Sequence, residues 1–441
     1  MPHNTRHLAS SAVGESKICV LRLVIHSTKR CAQVQNESLP AGKGWHELGP
    51  IRPPSEGRDR SLLIRVTRNC PWNRCQFCRT YKNKTYSTRS VDEIKRDIDT
   101  VKTLAEEIKA VSRRMGLKSL IRREVIATFM DSHPELYSTA RNDPDSVQRR
   151  YESLANVVHW LSSGARTVFL QDANAVQIRT ADLMEILRYL KESFPTLERI
   201  TSYARSKTLA RKPLQDLQRL HEAGLSRVHI GLESGCDEVL AVMEKGTTAA
   251  EQITAGQKAR EAGISVSEYY IPGLGGRKWS EKHALESARV LNEINPDFIR
   301  LRTLVPRRGT PLAARIQAGE FEPLTEDETV AEIALFVEHL DCTSHLVSDQ
   351  MCNLLWEVEG RLPEDKPLIL KTIKDYLAKP LSERLKIQLE RRLSSYLHIA
   401  GHLDGELARD VDAALEALER DSADAPARVQ KVLDTIKPAF I

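Results

Sequence analysis

Three cysteines, Cys70, Cys75 and Cys78, are packed into "NCPWNRCQFC", and the other five, Cys19, Cys31, Cys236, Cys342 and Cys352, are scattered along the chain. Thiols this close together suggest metal or redox chemistry. A structural zinc ion wants four ligands, usually as two pairs, and the nearest histidines, His46 and His133, stand at no finger-like spacing. An iron–sulfur cluster takes its thiolates from closely spaced cysteines. Three thiolates on four irons would leave one iron open, as a catalytic metal keeps a position open for a ligand. Zinc, three unrelated free thiols and a cluster with an open iron are the readings these residues leave.

The rest of the chain limits the setting. With 441 residues, 41% hydrophobic and 28% charged, it has the length and composition of a globular protein with one large domain and appendages, or two to three domains. A net charge of +5 is small for this length and gives no basic footprint, so nucleic acid is not indicated. The apolar run "ICVLRLVI" is short and carries Arg22, which suits neither a membrane span nor a signal-peptide core. A cytoplasmic location is therefore expected, where eight cysteines do not form a disulfide framework.

Residues 1–57, rich in Pro, Gly and polar residues toward their end, read as an irregular extension. The strand "SLLIRV" (61–66) follows and runs directly into the cysteine loop. A mostly helical stretch from Val91 to about Leu161 leads to "RTVFLQ", "RITSY", "RVHIGL", "SVSEYYI" and "FIRLRTLV", with helical periods between them. These strand starts are spaced by 28 to 38 residues, the length of a repeated βα unit. Alternation of this kind implies parallel strands with right-handed crossovers. The expected fold is α/β: a partial (β/α)6 barrel over residues 58–320, with a helical C-terminal region over 321–441. Within that region "LVSDQMCNLLWEVEGRLPEDK" (346–366) reads as a helix carrying Asp349, Cys352 and Asn353 on one face, turned toward the barrel mouth.

A first-strand loop with three clustered cysteines, an aromatic residue before the third and the βα repeat resembles the radical S-adenosylmethionine (SAM) superfamily. More narrowly, "IRPPSEGRDRSLLIRVTRNCPWNRCQFC" and "HEAGLSRVHIGLESGCDEVLAVMEKG" resemble a bacterial branch that shares its barrel with oxygen-independent coproporphyrinogen oxidase. The spacing here is C-x4-C-x2-C, one residue longer than the superfamily's common form. The resemblance implies a 4Fe–4S cluster on Cys70, Cys75 and Cys78, and S-adenosylmethionine cleaved reductively to a 5′-deoxyadenosyl radical that abstracts hydrogen from a substrate. It implies an electron donor such as flavodoxin or ferredoxin. It also assigns cofactor contacts: Phe77 to adenine, Asp172 to the methionine ammonium, Glu233 to the ribose and Lys245 to the carboxylate, with Arg205 at the mouth for that carboxylate or for a substrate anion. Each has an ordinary alternative, as core aromatic, turn cap or surface charge. The rival reading is a non-catalytic iron–sulfur or zinc protein acting as electron carrier or binding module.

Overall fold

The computed structural model describes residues 44–54, 60–138 and 143–440. Cys19, Cys31 and most of the expected 1–57 extension lie outside the described residues. The apolar runs form strands β1 (Leu62–Arg65), β2 (Thr167–Gln171), β3 (Arg199–Ala204), β4 (Leu225–Glu233), β5 (Ser265–Tyr270) and β6 (Phe298–Leu301). They lie side by side in chain order and are all parallel, the (β/α)6 arrangement expected from the spacing.

Two faces follow from the period-2 alternation of strands. Ile64, Val168, Leu170, Val228, Ile230, Val266, Ile299 and Leu301 belong to the buried apolar core and face the surrounding helices. The other face is the barrel lumen, where Tyr203, His229, Ser267 and Phe298 stand in register. The helices start where side chains can cap them. Capping boxes at Ser90/Glu93, Thr248/Glu251 and Thr325/Glu328 open the helices Val91–Arg114, Ala249–Glu261 and Glu326–Glu338. Among the described residues no helix is long and apolar enough to cross a membrane.

The region after β6 departs from the helical expectation. Residues 346–366 are not a helix. The sheet continues into β7 (His345–Val347), parallel to β6, and β8 (Gly360–Arg361), antiparallel to β7. An edge strand offers a row of unpaired N–H and C=O groups, and pairing with them outweighs the local helical pattern. The loop between β7 and β8 continues that role with side chains. Asn353 Oδ1 accepts from the Thr303 N–H at 2.9 Å, and its Nδ2 donates to Leu301 O at 2.9 Å.

The helices of the C-terminal region divide between two apolar clusters. Ile333, Phe336 and Val337 of Glu326–Glu338 and Ile369, Ile373 and Tyr376 of Lys366–Leu377 join the barrel core. Leu389, Leu407, Val411, Val429, Leu433 and Phe440, from the helices Leu381–Ala400, Gly405–Glu419 and Ala425–Ile436 and the turn after them, form a separate cluster.

A buried ion pair joins the two. Arg392, 1% exposed, donates to Glu326 from Nε at 3.1 Å and Nη2 at 2.7 Å, and to the carbonyls of Met351 and Asn353 at 3.0 and 3.2 Å. Lys437 Nζ adds a contact to Glu326 at 3.0 Å. Burial pushes the Glu326 carboxyl up, but Lys437 and Arg392 outweigh it and hold it at about 2. Its stabilisation is therefore fully present above the ordinary carboxylate range and is lost as pH falls toward 2. Removing Arg392 leaves Glu326 buried with Lys437 as its remaining cation, and breaking a buried pair costs about 3–5 kcal/mol. Arg392→Met should lower unfolding stability by that amount in urea at pH 7, and by much less at pH 2. An equal loss at both pH values would mean that packing, not charge, joins the two clusters.

Candidate functional site

The cysteine loop leaves β1 at its C-terminal end, the end where reactive groups gather in parallel barrels. One carboxylate ties it down. Asp172, fully buried just past β2, accepts from Arg65 Nε at 2.9 Å and Nη2 at 2.6 Å, from the Tyr81 hydroxyl at 2.7 Å and from the Asn69 N–H at 3.1 Å. These four donors satisfy a buried charge that would otherwise be costly. Glu47 adds a second anchor, taking Arg65 at 3.0 Å and Arg68 at 2.6 Å. Gln171 holds the segment before β1, accepting from the Gly49 N–H at 2.9 Å and donating to the Gly49 and Ile51 carbonyls.

The far side of the loop is pinned to the turn after β4. The Trp72 indole N–H donates to Glu244 O at 2.6 Å, and its ring lies in the space left by Gly246. A Cβ at Gly246 would come within 2.4 Å of that ring, and its φ of +71° also requires glycine. The Gln76 N–H reaches Met243 O at 3.0 Å, and Leu312 N–H reaches Gln76 O at 3.0 Å. All three cysteines are free and partly accessible.

Lys245 and Glu233 pair beside them, Nζ to Oε1 at 2.8 Å, with side chains 12% and 15% exposed. Glu233 ends β4 with a φ of +63°, a left-handed conformation that costs a non-glycine residue about 1–3 kcal/mol. Gly231 gives the pair its room, since a Cβ there would lie 2.2 Å from Glu233 Oε1 and 2.8 Å from Lys245 Nζ. Arg205 donates to Lys245 O at 2.9 Å and lies over the Trp72 ring at 5.1 Å. Burial pushes the Cys75 thiol up to about 11, with the Lys245 cation acting against it. The Arg205 guanidinium is held down by its own burial, while Cys70 and Cys75 act to raise it.

Behind this cluster the lumen is aromatic and cationic. The Tyr203 and Tyr269 hydroxyls meet at 3.1 Å, and both rings lie against His229. Burial, with Arg300, Arg227 and Arg199 nearby, holds His229 well below its ordinary value, so it is neutral. Arg302 lies over the Tyr269 ring at 4.9 Å.

The structure thus brings Cys70, Cys75, Cys78, Glu233, Lys245 and Arg205 together. Asp172 faces its own four donors. Phe77 packs against an apolar cluster that includes Val239, Met243, Leu274 and Leu312. Sequence reading missed Glu47, Arg65 and Tyr81, whose partners are distant in sequence. It also missed Tyr203, Tyr269 and Arg302, although strand alternation places all three on the lumen side.

A cluster binds each thiolate to a different iron, so its ligands stand further apart than those of a single ion. Among the described residues, no three Cys, His or carboxylate side chains are drawn together as ligands of one metal ion. The thiol donor set, the cations beside it and the loop pinned on both sides fit a cluster on Cys70, Cys75 and Cys78. Asp172→Asn removes the charge that pairs with Arg65 and should cost about 3–5 kcal/mol in chemical unfolding. A loss under about 1 kcal/mol would show that the loop is anchored elsewhere.

Comparison with known proteins shows what the chain is similar to. The model of the radical SAM superfamily matches residues 137–288. A tRNA uridine(34) acetyltransferase of Methanocaldococcus infernus is 25% identical over 121 residues, 27% of this chain and 23% of that protein. A tRNA-2-methylthio-N(6)-dimethylallyladenosine synthase of Pseudomonas savastanoi is 27% identical over 185 residues, 38% of this chain and 40% of that protein. The chain thus spans less than half the length of these relatives. The structure of coproporphyrinogen III oxidase from Escherichia coli, a radical SAM enzyme, covers 64% of this chain and 54% of its own at 14% identity, with a TM-score of 0.37.

Proposed function

We propose that this chain, which belongs to the radical SAM superfamily, is an enzyme that holds a 4Fe–4S cluster on Cys70, Cys75 and Cys78 and binds S-adenosylmethionine beside it. The observation that carries this reading is the meeting of those three cysteines with Lys245, Glu233 and Arg205 at the C-terminal ends of parallel strands. When bound, the cluster and S-adenosylmethionine supply a 5′-deoxyadenosyl radical that takes hydrogen from a substrate.

The chain's own residues position and charge this site. Lys245 and Arg205 place positive charge next to Cys75 and Cys70, which suits a carboxylate ligand. Glu233 turns its carboxylate across Gly231, where it can accept hydroxyl hydrogen bonds from a ribose. Phe77, half-buried at the rim of its apolar cluster, offers a ring to adenine. Asp172, with four internal donors, is better placed to hold the cysteine loop than to meet the methionine ammonium. From Asn69 to Thr88 the loop carries Arg74, Arg79, Lys82 and Lys84 and no Asp or Glu. That cationic stretch supports docking of an acidic one-electron donor such as flavodoxin or ferredoxin. An electron carrier would ligate every iron with protein, which favours the enzyme over a non-catalytic iron–sulfur protein.

Anaerobically reconstituted protein should hold about four irons and four sulfides and, with a strong reductant, should release 5′-deoxyadenosine from S-adenosylmethionine. Ala at Cys70, Cys75 or Cys78 should strip the iron, while Cys236→Ala and Cys342→Ala should retain it. Stoichiometric zinc without iron would sink the proposal. Lys245→Met and Glu233→Gln should each weaken S-adenosylmethionine binding by about 1–3 kcal/mol, the scale of a hydrogen bond to a charged group. Because the two side chains pair, the double mutant should lose less than the sum. Additive losses in a calorimetric cycle would separate the two residues.

A further inference from the structure

Arg302 has no role in the reading above, and its surroundings are unusual for a guanidinium. It follows β6 on the lumen side, two residues after Arg300, and its backbone N–H is used by Tyr270 O at 3.0 Å. Its side chain lies over the Tyr269 ring at 4.9 Å. Its Nε is buried and has no hydrogen-bond acceptor. Among the described residues no carboxylate makes an ion pair with it. Tyr269, Tyr203, Cys352 and Glu233 are the ionisable groups that act most on its charge. The tyrosines and the thiol are neutral: burial pushes Tyr203 and Tyr269 up, and holds Cys352 at about 11. Glu233 is already paired with Lys245 at 2.8 Å. Asp349, the carboxylate on the neighbouring loop, is taken by Arg300 at 3.2 Å.

A buried donor without an acceptor costs about 1–3 kcal/mol, and more when charged. Native proteins leave few such groups, and those that remain call for a ligand or another stated cause. The three arginines around His229 deepen the positive field on this side of the lumen. The rings of Tyr203 and Tyr269 lie against the same His229, with Phe169 next to Tyr203 at 5.1 Å. A guanidinium stacked on a ring keeps its in-plane N–H donors free for an oxyanion.

We propose that Arg302 is the anion-recognition residue of the substrate site, and that the substrate is a small molecule whose oxyanion, a carboxylate or a phosphate, meets Arg302 while an apolar or planar part lies along Tyr203 and Tyr269. This rests on the reading of the same barrel mouth as a radical enzyme's active site. Arg302 thereby selects substrates by charge, and Lys245 and Arg205, on the cysteine side, are left for the cofactor.

The probes are benzoate, phenyl phosphate and the neutral benzamide, measured by equilibrium dialysis against the full-length reconstituted protein. At least one of the two anions should bind tenfold or more tightly than benzamide. Tighter benzoate identifies a carboxylate substrate, and tighter phenyl phosphate a phosphorylated one. Arg302→Gln should abolish the preference, and Arg302→Lys, which keeps the charge and loses the planar fork, should retain part of it. Arg308→Gln, at an exposed neighbour, should leave it intact. Binding of benzamide equal to that of both anions overturns the proposal, as does a preference that survives in folded Arg302→Gln. Iron content and melting temperature are read on every preparation. Wild-type protein that binds the anions selectively but holds no iron would sink the radical-enzyme reading and leave the anion site standing. Protein with a full cluster and no anion preference would do the reverse.

Discussion

The Asp172 carboxylate is the contact on which the cysteine loop's geometry depends. From Asn69 onward the loop has little regular structure of its own, only a two-residue ladder pairing Thr67–Arg68 with Ser87–Thr88. A segment of that kind takes its shape from what it is tied to. Asp172 binds the loop's first residue through the Asn69 N–H, its middle through Tyr81, and the end of β1 through Arg65. A buried carboxylate tolerates the absence of any of these donors poorly, so the charge enforces one arrangement of loop and strands. Trp72, seated in the gap at Gly246, fixes the other side.

Charge is distributed unevenly around the mouth. Its carboxylates are committed internally: Asp172 to Arg65, Glu233 to Lys245, Asp349 to Arg300. Arg205 and Arg302 have no such partner among the described residues. The mouth is thus a cationic environment with low solvent exposure, where each interaction with an anion is stronger than in water. That suits anionic ligands in front of the cysteines. Burial first, and then the field of Arg300, Arg227 and Arg199, keeps His229 neutral.

Six parallel strands do not close a barrel, and both open edges need cover. At one edge Asn156 meets β1, accepting from the Leu63 N–H at 3.0 Å and donating to Ser61 O at 3.2 Å, while residues 44–54 run over the strand ends, held by Gln171 at Gly49 and by the Tyr203 hydroxyl, which donates to Arg52 O at 3.3 Å. At the other, β7 extends the sheet and Asn353 satisfies backbone groups of Leu301 and Thr303. The Glu326–Arg392 pair then holds the loop of Met351 and Asn353 from behind. The polar residues read in the sequence as a helical face do reach the end of β6, but as a loop.

The sequence by itself determined the repeated units and the cysteine cluster. Period-2 apolar runs, 3.6-period helices and capping boxes are local signals, and β1 to β6 formed where those signals stood. The grouping of Cys70, Cys75 and Cys78 in one loop was equally local. What tertiary structure decided was everything that depends on a partner far along the chain. Asp172 lies 107 residues from Arg65 and 91 from Tyr81, so its pattern alone could not separate a ligand from a clamp. The 346–366 segment has apolar spacing compatible with a helix, and only the unpaired edge of β6 makes it a strand and loop. Arg302 reads as one more surface cation until the barrel curls and buries it over Tyr269. Local propensity is written in neighbouring residues, whereas burial, pairing and the sign of a field are properties of the folded sheet.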